Sequence, residues 1–167
     1  MCADLTSFVA GRALEDDGSV LLRFSNGARG VLYASQIAVD DENALAIRVY
    51  GERGGLEWHQ EEPNTLIHKR LGEPRVLVRA GGNYAHLSPA ALHGSRLPCG
   101  HPEGFIEAFA NLYRNFAQTL FARLEGRLPT PEQLDFPGPR EGVRGMAFFV
   151  AALESARSER KWVRFPE

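Results

Sequence analysis

Hydrophobic and polar positions alternate in short runs through the first half of the chain and recur at three- and four-residue steps through the second. Strands put successive side chains on opposite faces and helices bring every third or fourth residue to one side, so the pattern predicts strands first and helices later. Residues 3–9 (ADLTSFV) read as a strand that begins almost at the first residue, which suggests a truncated chain. Residues 19–24 alternate, with Val20, Leu22 and Phe24 against Ser19, Leu21 and Arg23. Asn26-Gly27 follows, a hairpin signal in which both turn positions favour positive φ, and residues 28–36 form the return strand. Residues 45–50, 56–60, 65–70 and 75–79 continue the meander, separated by turns at Gly51-Glu52-Arg53-Gly54-Gly55 and at residues 61–64. Residues 81–100 carry no usable period, and an irregular stretch of that length in a compact domain is either functional or disordered.

The longest periodic segment lies within residues 97–126. Phe105, Ile106, Phe109, Leu112, Tyr113, Phe116, Leu120 and Leu124 share one helical face, while Asn111, Arg114, Gln118 and Arg123 lie largely opposite. Pro102 suits the first turn of this helix, Glu103 adds a carboxylate near the positive end of its dipole, and Gly126 suits its exit. A helix of that length runs about 30 Å. Thr130-Pro131-Glu132 reads as the start of a short helix. Residues 139–157 read as a second long helix with Val143, Met146, Ala147, Val150 and Leu153 inward, and residues 161–165 (KWVRF) as a last strand. The fold class is therefore α+β: an open-faced, mostly antiparallel sheet with helices packed on one face. Leu21, Leu32, Tyr50 and Trp58 do not all fit the covered face, and a partly apolar open face is usually a partner surface.

Composition narrows the function classes. The chain has 167 residues, is 44% hydrophobic and has a net charge of −2. That fits a single domain, residues 1–167, with an ordinary core. The near-neutral balance argues against a nucleic-acid partner, and no apolar run approaches the ~20 residues that span a bilayer. Lysine is scarce beside arginine, with Lys69 and Lys161 alone, which reads as a compositional bias. Two cysteines, Cys2 and Cys99, make no disulfide framework, and with no leader-like start a cytoplasmic setting is expected.

Several chemistries are missing from the sequence. No two glycines stand two apart, so G-x-G-x-x-G does not occur, and there is no Gly-Lys pair for a phosphate-binding loop. CxxC and HExxH are absent; Pro98-Cys99-Gly100-His101-Pro102-Glu103 contains H-x-E without the following cysteine pair of zinc deaminases. Ser95 lacks the glycine spacing of a nucleophile elbow. His101 is the best single candidate. It reads either as a helix N-cap with its ring bonded to backbone, or as a substrate or acid–base contact at a helix start. His86 and His93 read as loop residues, and His59 and His68 as solvated strand residues. Trp58 reads as sheet packing rather than a sugar platform.

Residues 19–30 (SVLLRFSNGARG), 47–58 (IRVYGERGGLEW) and above all 100–113 (GHPEGFIEAFANLY) resemble the C-terminal domain of the Gfo/Idh/MocA oxidoreductases, relatives of glucose–fructose oxidoreductase and inositol dehydrogenase. Residues 142–165 (GVRGMAFFVAALESARSERKWVRF) resemble the family's last helix and strand, so the likeness covers essentially the whole chain. The resemblance implies an open sheet face that pairs with a second copy to form a homodimer. It also implies reversible hydride transfer between NAD or NADP and a sugar, polyol or inositol hydroxyl. The family's N-terminal Rossmann domain, its Glu-Lys-Pro lysine and its Asp…His helix are absent from this sequence, and neither Lys69 nor Lys161 has a Glu-Lys-Pro context. No residue here inherits those catalytic roles, and no cofactor site is expected in this chain. The resemblance places residues 100–103 beside the substrate, with His101 and Glu103 as binding candidates. The rival reading is a free-standing carbohydrate-binding or protein-interaction module that reuses the fold.

Overall fold

A computed structural model of the chain describes residues 1–82 and 87–166. Its strands are β1 (Cys2–Thr6), β2 (Asp17–Arg23), β3 (Arg29–Ser35), β4 (Ala46–Gly51), β5 (Gly54–His59), β6 (Thr65–Arg70) and β7 (Val76–Arg79), and its helices α1 (Pro89–Gly94), α2 (Phe105–Leu124) and α3 (Pro139–Arg157). Among the described residues every ladder is antiparallel, and the expected meander is divided into two sheets, β1-β2-β3 and β4-β5-β6-β7. Asp40 and Glu42, in the segment between β3 and β4, both have positive φ. Two compact units result, one from Met1–Glu42 with Pro137–Glu167, the other from Asn43–Phe136.

In the first unit, the period-2 pattern of β1 and β2 turns Ala3 and Val20 inward, where they are buried with Met1, Ala151 and Ala152. Leu5, Leu22, Phe148, Val163 and Phe165 close the edges of this cluster. The opposite sheet face is open: Leu21, Val31 and Tyr33 are exposed, Val31 by 74%. The β2–β3 hairpin forms where Asn26-Gly27 predicts it, with Arg23 opposite Arg29. Its loop is longer than a two-residue turn. Gly27 alone has positive φ (91°), while Phe24 N–H donates to the Ala28 carbonyl at 3.0 Å and Asn26 Oδ1 accepts from Ala28 N–H. One left-handed position is enough in this loop, because the extra residue absorbs the twist.

Two expectations for this unit need correction. Val143, Met146 and Val150 of α3 are exposed, and the inward line is Phe148, Ala151, Ala152 and Ser155. Small residues let the helix approach β1 closely, and Ser155 Oγ accepts the Ala3 N–H at 2.8 Å while donating to the Lys161 carbonyl. Residues 161–165 do not form a strand: Trp162 makes one isolated bridge to Cys2, and Val163 and Met1 exchange backbone bonds of 2.8 and 2.7 Å. Lys161 sits at φ 62°, which breaks the extended run before it can lengthen. The Arg23 guanidinium lies 3.7 Å over the Trp162 ring and fixes this return segment.

Asp16 organises the loop after β1. Its buried carboxylate accepts Phe8 N–H at 2.8 Å and Val9 N–H at 3.0 Å, and pairs with Arg12 at 3.3 Å. The bond from Phe8, helped by Val9 and Arg12, holds this carboxyl below the usual aspartate range against the opposing effect of burial.

In the second unit, register places Arg48 opposite Glu57 and Ile47 opposite Trp58. Alternation then gives one charged face, with Arg48, Glu57, His59 and Lys69, and one apolar face, with Ile47, Val49, Leu56, Trp58 and Leu66. Gly54 is required by close approach, since a Cβ there would collide with the Lys69 carbonyl oxygen. Residues 81–100 hold a short helix, α1, that the sequence pattern does not show; Ser88 Oγ accepts Ala91 N–H and Pro89 opens its first turn. The expected short helix at Thr130 is instead a turn closed by Leu134 N–H on the Thr130 and Pro131 carbonyls.

The larger correction concerns α2. The helix is where the periodicity puts it, but its buried residues are Asn115, Thr119 and Ala122. Phe105, Ile106, Phe109, Tyr113, Phe116, Leu120 and Leu124 are exposed, although Phe116 packs edge-on against Phe136 at 5.6 Å. The polar side faces protein because neighbouring segments offer it backbone carbonyls: Asn115 Nδ2 donates to Asp135 O at 3.1 Å and Thr119 Oγ1 to Gln133 O at 2.7 Å.

Ser155→Ala removes the acceptor of a buried backbone N–H. It is expected to lower unfolding free energy by about 1–3 kcal/mol, measured by urea denaturation; an unchanged midpoint and slope would show that the α3–β1 bond contributes nothing.

Candidate substrate-facing site

The segment before α2 is built by local hydrogen bonds. Gly104, not His101, is the N-cap of α2, and Glu107 supplies the first-turn carboxylate by accepting Gly104 N–H at 2.8 Å. That bond is the main reason the Glu107 carboxyl sits below its ordinary range. Pro102 and Glu103 therefore precede the helix rather than opening it, which corrects the expected boundary. Proline fits residue 102 because an extended lead-in needs no N–H there.

Glu103 turns back onto the chain. Its Oε1 accepts Arg96 N–H and Leu97 N–H at 2.7 Å each, and Oε2 lies 3.1 Å from Arg96 N. Asn64 Nδ2 donates to the Glu103 carbonyl at 2.7 Å, so the turn before β6 is tied to the same residue. Trp58 Nε1 donates to Pro63 O at 2.9 Å and holds that turn. His101 is exposed. Its N–H donates to Pro98 O at 3.2 Å and its Nδ1 lies 3.3 Å from the same oxygen. Gly100 has φ 92°, a conformation that lets the chain reverse between Cys99 and His101. His101 and Glu103 thus share one bent segment, with the imidazole outward and the carboxylate bound to backbone.

The other histidines separate. His86 lies outside the described residues. His93 sits in α1 with Nε2 2.8 Å from Asn115 Oδ1. His59 Nε2 lies 2.8 Å from Glu57 Oε1. His68 lines an open groove of about 780 Å³ with Val49, Arg53, Leu56, Arg70 and Glu73, none of which belongs to residues 100–103. Among the described residues, no group of three or more His, Cys, Asp or Glu side chains is placed to hold a metal ion.

Two groupings escaped the sequence reading. The first surrounds Glu57, which is paired with Lys69, with His59 and, at 3.5 Å, with Arg48. Its carboxyl is lowered from 4.5 to about 2, chiefly by hydrogen bonds from Lys69 and His59. No sequence signal exposes this cluster, because its members meet only through strand register. The second is the polar side of α2, where Asn111, Asn115 and Thr119 recur every four residues. That spacing was available in the sequence as a line of short polar side chains on a helix.

A family model described as the oxidoreductase family, C-terminal alpha/beta domain, matches residues 2–165. The chain belongs to this family, Gfo/Idh/MocA. An uncharacterized oxidoreductase of Bacillus subtilis, YfiI, is 32% identical over 99% of this chain and 42% of its own length. The structure of an oxidoreductase from Sinorhizobium meliloti matches with a TM-score of 0.88 at 43% identity, covering 98% of this chain and 45% of that one. An inositol dehydrogenase homologue from Azotobacter vinelandii, in complex with NADH and myo-inositol, matches with a TM-score of 0.81 at 34% identity over 93% of this chain and 41% of that one. The chain therefore spans less than half the length of these relatives. No helix of the Gfo/Idh/MocA domain, among the described residues, is long and apolar enough to cross a membrane.

Glu57 links stability to pH. Its folded value lies below its ordinary one, so its ion pairs stabilise the fold fully above pH 4.5, and that stabilisation is lost as pH falls toward 2. Glu57→Gln is expected to flatten the acid limb of a stability-versus-pH curve in this interval; an unchanged limb would show that the cluster is not coupled to folding.

Proposed function

We propose that this chain is the substrate-side and dimerisation domain of an oxidoreductase that moves hydride between NAD or NADP and a hydroxyl of a sugar, polyol or inositol. The observation that carries this reading is the match, at 34% identity and over 93% of the chain, to an inositol dehydrogenase homologue whose structure contains NADH and myo-inositol. His101 and Glu103 border the substrate. His101 offers an exposed imidazole to a hydroxyl, and Glu103 both braces the segment and leaves carboxylate lone pairs for a second hydroxyl.

The chain by itself is not a catalyst in this reading. Hydride transfer needs the nicotinamide held against the carbinol carbon and a base beside the hydroxyl. The residues present do not fit a dinucleotide: among the described residues the strands pair only in antiparallel ladders, and none leads through a glycine-rich turn into a helix as a parallel Rossmann strand does. The cofactor belongs to a Rossmann domain that this sequence does not contain, and residues 1–167 act as one substrate domain beside it. The open sheet face pairs with a second copy; exposed Leu21, Val31 and Tyr33 give that face its apolar character. Unpaired Cys2 and Cys99 suit a reducing cytoplasm.

Titrating NADH and NADPH fluorescence against this chain is expected to show no saturable binding; micromolar saturation would overturn the division of labour. In the protein carrying both halves, His101→Ala should raise KM for the polyol about tenfold, the value of one lost hydrogen bond of ~1.4 kcal/mol, and an unchanged KM would remove His101 from the pocket. Light scattering should give twice the chain mass at high concentration, with Val31→Glu returning it to monomer; a monomer throughout contradicts the dimer.

A further inference from the structure

We propose that Asn115 is a positioning residue of the candidate site: it fixes the tautomer of His93 and, through α1, holds the segment that carries His101. This rests on the reading that residues 100–103 border the substrate. Asn115 is 3% exposed, and a buried carboxamide must satisfy both its donor and its acceptor. Its NH₂ group meets the Asp135 carbonyl, which can only accept. Its Oδ1 must therefore face His93, and Oδ1 can only accept in turn. The proton consequently sits on His93 Nε2, and in the neutral ring Nδ1 is left as the basic nitrogen.

The bond to Asn115 is the first of a continuous series along the strap after α1. Arg114 donates to His93 O at 2.6 Å and Asn111 Nδ2 donates to Gly94 O at 2.7 Å. Arg96 Nε donates to Asn111 Oδ1 at 3.0 Å, and the Arg96 and Leu97 N–H groups end on Glu103. Cys99 N–H continues to Gly81 O at 3.1 Å and His101 N–H to Pro98 O at 3.2 Å. Residues 93–97 are thus clamped between the polar side of α2 and the carboxylate that precedes it, and residues 98–101 follow as a turn tied to Gly81. An apolar helix face could bury the same area, but it would leave the carbonyls of His93 and Gly94 without these donors and the imidazole free to take either tautomer.

The test uses this chain. Long-range ¹H–¹⁵N spectra of the neutral ring should show His93 Nε2 protonated and Nδ1 unprotonated. Asn115→Leu, close in size but without polar atoms, should release a tautomer mixture and speed amide exchange at Leu97 and His101 about tenfold, with the amides of β5, in the same unit, unchanged as the folding control. Asn115→Asp, which keeps the acceptor, should retain the Nε2 proton. A mixed tautomer in the unaltered chain, or exchange unchanged in Asn115→Leu, overturns the proposal. Should Asn115→Leu fail to fold, the tautomer in the unaltered chain and in Asn115→Asp still decides it. If the tautomer is fixed in this chain while His101→Ala leaves polyol KM unchanged in the protein carrying both halves, the latch stands and the reading of the site fails.

Discussion

The Asn43–Phe136 unit depends on a buried carboxamide. Asn115 lies at the centre of α2 with both halves of its side chain bound to protein, and Thr119 repeats the arrangement one turn later. A polar group in that position is costly unless every donor and acceptor is matched, so it allows few arrangements of the segments around it. α1 and residues 133–135 are the two segments that match it. The helix consequently turns its polar side toward its own unit and leaves its aromatic side exposed.

This arrangement links packing to the proposed chemistry. The irregular stretch before α2 is anchored at His93, Gly94, Arg96 and Leu97 by groups from α2 and from Glu103. Anchoring at so many points places an exposed imidazole, His101, on a short and restrained bend. A pocket wall needs this property, because a mobile side chain loses binding energy to its own ordering. In the other unit Ser155 has a similar role, joining α3 to the edge of β1 and to the last turn of the chain.

The strand pattern was the most legible part of the sequence. Alternation at residues 19–24 survives in β2, where Val20 is buried between exposed Ser19 and Leu21, because a half-buried strand must separate its two faces; β4 lies within one residue of its expected span, but all of its residues are exposed. The span of α3 was legible as well, but its inward line was not: hydrophobicity pointed to Val143, Met146 and Val150, whereas close approach selected Ala151, Ala152 and Ser155. For α2 the same rule failed more fully, since periodicity identifies an apolar side without saying that it is the buried one. α1 was invisible because six residues give fewer than two turns and no stripe to detect. The bent segment with His101 and Glu103 was picked out by its composition and by family likeness, while the bonds that brace it run between residues up to 39 apart in the chain and could not be read from spacing.

The central claim is that α2 buries its polar side and exposes its aromatic one. Hydroxyl-radical footprinting of this chain at submicromolar concentration tests it most directly. The account predicts rapid oxidation of Phe105, Phe109 and Tyr113, with slow oxidation of His93, which Asn115 holds against the helix. Protection of the three aromatic rings together with rapid oxidation of His93 would contradict it.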